Sequence, residues 1–213
     1  KEAMQEDNMV RLVEARRDAF MASREMLFDG TLGADPYSRG VSVREAAEVS
    51  KFPELAAVLY HLILWRRPTK VLEFGTNIGI SSAWQAAALL ASGGGSVHTY
   101  EASPYRTRFA REWTSQCGFE NIRFHNETFD DGIDHDFDGI ADFEFVFVDG
   151  NHQFDATVRY FDALQAFIAP GAIFVFDDIR WSSGMKRAWK AIMASKSTAC
   201  AVEYAGMGIV LKR

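Results

Sequence analysis

The sequence predicts an α/β fold: a doubly wound sheet of seven strands, mostly parallel, closing in a C-terminal antiparallel hairpin and preceded by helices. Three observations carry this. From Lys70 onward, short continuous apolar runs alternate with segments whose apolar residues recur at helical spacing, and continuous apolar strands belong to parallel sheets covered on both faces. The last two runs, 199–204 and 208–212, are separated only by Ala205, Gly206 and Met207, too few residues for a parallel crossover, so they pair as a hairpin. The first run leads into a turn bearing Gly75 and Gly79, at the sheet edge where open α/β sheets bind ligands.

Element by element, residues 4–28 place Met4, Met9, Leu12, Val13, Phe20, Met21, Met26 and Leu27 at helical spacing among charges. Gly30, Gly33 and Pro36 are expected to close that helix and form a loop. Residues 43–66 read as one further helix, with Ser42 as N-cap and Pro68 beyond its end. Neither helix carries a polar constellation suited to chemistry; packing against the main domain, a lid and a dimer arm all remain open for residues 1–67. Residues 68–213 form the main domain. Its strands fall at 70–74, 96–101, 122–126, 144–149 and 172–177, with helices at 81–91, 104–117 and 156–168 between them and another at 182–194. Right-handed crossovers then wind the sheet in both directions. The Asp-rich stretch 130–142 lacks the ligand order of a calcium loop and reads as a solvated loop. Trp181, Met185 and Trp189 read first as packing residues, with Trp181 also suited to wall a pocket; His125 and His135 read as surface residues.

Composition bounds the partners. A chain of 213 residues, 48% apolar with 17 Phe, builds one domain with a sizeable core. A net charge of −6 with only scattered basic pairs argues against nucleic acid. No run approaches the roughly 20 apolar residues that span a bilayer, and the N-terminal segment is of mixed charge without an apolar signal core. Cys117 and Cys200 lack metal-ligand spacing and read as free thiols in a reducing compartment. A cytoplasmic protein without membrane contact is expected.

Two groups of residues point to chemistry. In the turn after the first strand, Gly75 can take positive φ and let backbone approach a ligand, Asn77 tolerates a left-handed conformation, and Gly79 allows close packing at the helix start. Glu73 beside it can attract a cationic amino group. Glu101, 26 positions after Gly75, stands where an acidic residue commonly holds ribose hydroxyls. The second group is Asp149 and His152 after the fourth strand, with Asp177 and Asp178 after the fifth. Carboxylates converging this way repel unless a cation neutralises them, and oxygen-rich sites suit Mg²⁺ above all, with Ca²⁺ or Mn²⁺ also acceptable. Asp149, Asp177 and Asp178 would hold such an ion. His152 would be a fourth ligand or the base that takes a hydroxyl proton.

Val71-Leu72-Glu73-Phe74-Gly75-Thr76-Asn77-Ile78-Gly79 resembles the first motif of class I S-adenosylmethionine-dependent methyltransferases, and Tyr100-Glu101-Ala102-Ser103-Pro104 resembles their second. The resemblance covers about residues 65–213 and implies a Rossmann-like fold. It also implies cofactor contacts from Glu73, Phe74, Gly75, Thr76, Asn77, Gly79 and Ser81, from Glu101 and Ala102, from Thr128 at the third strand exit near adenine, and from Asp149. Asn77 departs from the glycine more usual there. Phe147-Val148-Asp149-Gly150-Asn151-His152 and Gly171-Ala172-Ile173-Phe174-Val175-Phe176-Asp177-Asp178-Ile179 are similar to the metal-dependent O-methyltransferases of catechol and macrolide-sugar type. The catechol type has Lys at the position of His152 and Asn at that of Asp178, so the macrolide-like subgroup matches better. The resemblance implies metal-assisted O-methylation of a small-molecule hydroxyl, with Asp149 and His152 catalytic. Two other readings stand beside it: a non-catalytic methyltransferase-like binding module, and a nucleotide-cofactor oxidoreductase, which the missing G-x-G-x-x-G pattern disfavours. The N-terminal helices could pair subunits in a homo-oligomer.

Overall fold

A computed structural model describes residues 2–27 and 40–213, with side chains from Asn8 onward except that of Asp136. Gly30, Gly33 and Pro36, expected to shape the first loop, lie outside the described residues. The chain runs α1 (Glu2–Met21), β1 (Met26–Leu27), β2 (Val41–Ser42), α2 (Val43–Glu48), α3 (Pro53–Arg66), β3 (Lys70–Phe74), α4 (Ile80–Ala91), β4 (Ser96–Tyr100), α5 (Pro104–Gln116), β5 (Ile122–His125), α6 (Phe129–Asp134), β6 (Phe143–Val148), α7 (Phe154–Ala163), β7 (Ile168–Phe176), α8 (Ser183–Ala194), β8 (Thr198–Tyr204) and β9 (Met207–Lys212).

The seven-stranded sheet has the order β5-β4-β3-β6-β7-β9-β8. Strands β3 to β7 pair in parallel, and β9 pairs antiparallel with both β7 and β8. The order reverses between β3 and β6, so the carboxyl ends of these two strands flank the switch point where doubly wound sheets bind ligands. One face is covered by α1 to α5 and the other by α6 to α8, each with its own buried cluster.

Helix α4 explains why α1 to α3 pack where they do. Its sequence is apolar nearly all round, and every residue from Ile80 to Leu89 is buried, the mark of a helix enclosed on all sides. The sheet covers one side; α1 and α3 pack on the others. Val13 and Phe20 of α1 and Leu59 and Ile63 of α3 join Ala83, Ala87 and Leu89 in one cluster. Glu14 of α1 also accepts from the Trp84 indole at 2.8 Å.

Four expectations need correction. The helix expected over 4–28 ends at Met21, and Met26–Leu27 instead form β1, paired antiparallel with β2. The helix expected over 43–66 is two helices: Pro53 opens α3, and the residue before it, Phe52, is held extended at φ −62°, ψ 149°, because proline crowds its predecessor out of the helical region. Ser42 does cap α2, in a capping box with Glu45. The helix expected over 156–168 ends earlier, and β7 begins at Ile168, which pairs with Phe143. The stretch 130–142 is not a solvated loop. Thr128 and Asp131 form a capping box that starts α6, and Phe137 is buried against Phe74, Tyr100, Phe143 and Phe167.

Candidate active site

Backbone hydrogen bonds continue past the strand ends and stitch the candidate residues into one rim. The Glu101 N–H donates to the His125 carbonyl (3.0 Å), Gly75 to Tyr100 (3.1 Å), Asp149 to Phe74 (2.8 Å) and Asp177 to Val148 (2.9 Å). The β3–α4 loop, the second motif and the acids therefore share the carboxyl edge of the sheet.

The loop takes the conformations expected of it. Gly75 has φ 107°, Asn77 φ 49° and Gly79 φ 84°. A Cβ on Gly75 would lie 2.0 Å from the Asp149 carbonyl oxygen, and one on Gly79 would lie 2.9 Å from Ala110 Cβ. Glycine at 75 lets β3 and β6 exit side by side; glycine at 79 lets α4 meet α5. Glu101 ties the motifs together, accepting from the Asn77 N–H at 3.0 Å through Oε2 and from the Ser103 N–H at 2.9 Å through Oε1.

Other first-motif residues act behind this surface. Phe74 is buried, its ring stacked on Phe129 at 4.6 Å. Glu73, expected to meet a cationic amino group, is fully buried. Its Oε1 accepts from Gln85 Nε2 at 2.6 Å, and its Oε2 accepts from the Ser82 hydroxyl and from Thr99 at 2.6 Å. Thr76 in turn meets Thr99 at 2.6 Å, and Ser81 is buried. Glu73 thus fastens α4 to β3 and β4 from beneath the loop. Burial pushes its carboxyl up to about 7, against the hydrogen bonds from Ser82, Thr99 and Ser81 and with help from the nearby Asp149 charge. The sequence could not show this, because alternation decides the face of the sheet, and Glu73 points toward α4. Thr128 is used as the α6 cap; Ala102 stands part-exposed beside Glu101.

The acids do not gather as three. Lys51, from the turn between α2 and α3, forms an ion pair with Asp177 and lies 3.4 Å from Asp149 Oδ2; the lysine side chain is 8% exposed and that of Asp177 4%. Asp178 sits in the left-handed region at φ 52°, with its side chain half-exposed and outside the Lys51 pair. It faces His152 instead: His152 Nε2 is 3.5 Å from Asp149 Oδ1 and 3.8 Å from Asp178 Oδ2. Burial would raise the Asp149 carboxyl, but His152 and then Lys51 hold it below the usual carboxylate range. As arranged, the expected divalent-ion ligands do not fit an ion, since the Lys51 ammonium takes the point between Asp149 and Asp177. Among the described residues, the trio that brings metal-ligating atoms within 4.8 Å of one another is His125, Glu127 and Asp138, at the end of β5.

Lys51 was invisible to motif reading: it lies in a short turn far from the acids in sequence, and only folding brings it there. The segment around it is pinned on both sides. Arg17 of α1 donates to the Lys51 carbonyl, and the Asn77 side chain donates to the Ala46 carbonyl (2.8 Å) and the Ser50 hydroxyl (3.0 Å). Two aromatic readings also change. His125 stacks on Tyr100 at 4.3 Å and meets His98 at 3.3 Å, so it is part-buried with partners. His135 is exposed as read, 3.7 Å from Glu127. Trp181 is 75% exposed, while Trp189 and Met185 are core residues as read.

Residues 72–179, half of the chain, match a family described as a methyltransferase domain. Over 71 residues the chain is 35% identical to a protein-L-isoaspartate O-methyltransferase of Methanocella arvoryzae, a match covering 33% of this chain and 37% of that protein. The structure of an O-methyltransferase from Bacillus cereus in complex with SAH superposes with a TM-score of 0.69 at 19% identity, covering 96% of this chain and 91% of that one. The O-methyltransferase TomG from Streptomyces achromogenes, in complex with SAM, gives 0.67 at 22% identity over 77% and 82%. At these identities the likeness is one of fold. With the motif turn, the switch point and the family match on the same segment, the chain belongs to the methyltransferase domain family.

Proposed function

We propose that this chain is an S-adenosylmethionine-dependent O-methyltransferase acting on a small-molecule hydroxyl. The observation that carries the reading is the shared rim, on which the Gly75–Gly79 loop, Glu101 and the Asp149–His152 pair stand at adjoining strand ends. The fold likeness to O-methyltransferases holding SAM or SAH supports the cofactor and the oxygen acceptor.

Bound S-adenosylmethionine supplies a methyl carbon made electrophilic by its sulfonium; the acceptor oxygen bonds that carbon while the carbon–sulfur bond breaks and its electron pair stays on sulfur. The chain contributes alignment and proton removal. Asn77 Oδ1 is buried and has no hydrogen-bond partner among the described residues, which leaves it open to a donor on the cofactor. Glu101, at the end of β4 beside the loop, would meet the ribose hydroxyls. His152 Nε2 is also buried and makes no hydrogen bond, its distance to Asp149 being too long for one. In this reading the His152 imidazole takes the hydroxyl proton, and ionised Asp149 stabilises the imidazolium that forms. No step passes through a metal ion.

The test follows S-adenosylhomocysteine release with phenolic and vicinal-diol acceptors. His152→Ala should lower turnover by roughly 10²–10⁴-fold, the usual worth of a general base, while calorimetric affinity for S-adenosylhomocysteine stays within about threefold. Full turnover in that variant, or absence of S-adenosylhomocysteine binding by the wild type, would refute the proposal.

A further inference from the structure

We infer that Lys51 is the resident cation of the acceptor site: its ammonium holds Asp149 and Asp177 together at the point a divalent ion would take, so the chain works without one. The inference rests on the methyl-transfer reading and concerns a residue outside the family-matched segment 72–179.

The arrangement is built rather than incidental. Both acids are the first residues past neighbouring parallel strands, and the backbone bonds Asp149 N–H to Phe74 and Asp177 N–H to Val148 fix where they start. Two carboxylates so placed need a counter-charge. A lysine on a flexible surface loop would supply it weakly. Here the side chain is almost entirely enclosed, its ammonium also lying 5.8 Å from the centre of the Phe147 ring. The backbone that delivers it is held by Arg17, itself buried, and by the Asn77 contacts to Ala46 and Ser50. The same loop residue that the cofactor motif supplies thus anchors the turn carrying Lys51. An ammonium has three donors; Asp149 and Asp177 engage two, and the third is left for the acceptor oxygen. A dication added at this point would face the ammonium at contact distance, where like charges repel strongly.

Manganese titration of the intact chain, followed by electron paramagnetic resonance, tests the inference. Wild type should show no Mn²⁺ site that depends on Asp177, so Asp177→Asn leaves its binding unchanged. Lys51→Met should free the acid pair and bind Mn²⁺ at least about tenfold more tightly than wild type, while Lys51→Arg, which keeps the cation, gains nothing. A gain in Lys51→Met short of tenfold overturns the inference. So does a wild-type Mn²⁺ site weakened tenfold or more by Asp177→Asn, a comparison that decides alone if Lys51→Met fails to fold. Calorimetry with S-adenosylhomocysteine on the wild type separates the two readings. Lack of cofactor binding sinks the methyl-transfer proposal, whereas the manganese results judge Lys51.

Discussion

Replacing Gly75 with alanine should cost this protein more than replacing a glycine of the turn before β4. Two terms add. Gly75 has φ 107°, a region that costs an L-residue about 1–2 kcal/mol. Its new Cβ would also meet the Asp149 carbonyl oxygen at 2.0 Å and the Asp149 carbonyl carbon at 2.9 Å. Neither atom belongs to a flexible side chain, so β3 and β6 must part at their ends and loosen the Asp149-to-Phe74 hydrogen bond, worth about 1 kcal/mol net. The sum is roughly 2–3 kcal/mol, and at about 2–4 °C per kcal/mol for a chain of this size the melting temperature should fall by roughly 4–12 °C. Gly93 is the control. It has φ 117° and open space where a Cβ would go, so Gly93→Ala should show the conformational term alone, about 2–4 °C at the lower end of that cost. Thermal unfolding by circular dichroism gives both numbers, and calorimetry with S-adenosylhomocysteine should find binding weakened only by Gly75→Ala. Equal losses of melting temperature in the two variants would show that the close approach of β3 and β6 is not what glycine serves at position 75.

Glu73 gives a pH signature. Burial raises its carboxyl from the usual 4.5 to about 7, so the folded chain binds the proton more tightly than the unfolded chain; its contribution is present below pH 4.5 and lost as pH rises through 7. Glu73→Gln should remove that loss, so its stability relative to wild type should grow by about 3 kcal/mol between pH 4.5 and 7.5 in urea unfolding; a constant difference would contradict the burial argument. His98 works in the opposite sense. Burial, then the neighbouring His125, lowers it to about 4, so its contribution is present above pH 6.5 and lost as pH falls toward 4. Imidazole proton resonances followed by NMR should show His98 still neutral at pH 5.5, and a midpoint near 6.5 would place it in solvent.

Much of the site's framework was legible in the chain. Continuous apolar runs, the Gly75–Gly79 turn and the position of Glu101 depend on local chemistry: strand burial, positive φ and the length of one β-α-β unit. Topology then puts Asp149 and Asp177 on the same rim, because consecutive parallel strands must start and end on the same edges. What sequence left open was decided by groups brought together from afar. Glu73 faces α4 and not the open rim, which depends on what packs on each side of β3. Asp178 takes a left-handed conformation that its neighbour Asp177 does not share, and meets His152 rather than Lys51. Lys51 reaches the acids because α4 is apolar on every side, which draws α1 and α3 over it and carries the α2–α3 turn to the rim. Sequence by itself determined the sheet, the rim where its strands end and the Gly75–Gly79 turn, since those follow from short-range pattern. Only tertiary structure decided which cation meets the carboxylates, since Coulomb attraction acts on distance in space, and the partner stands 98 positions from Asp149 along the chain.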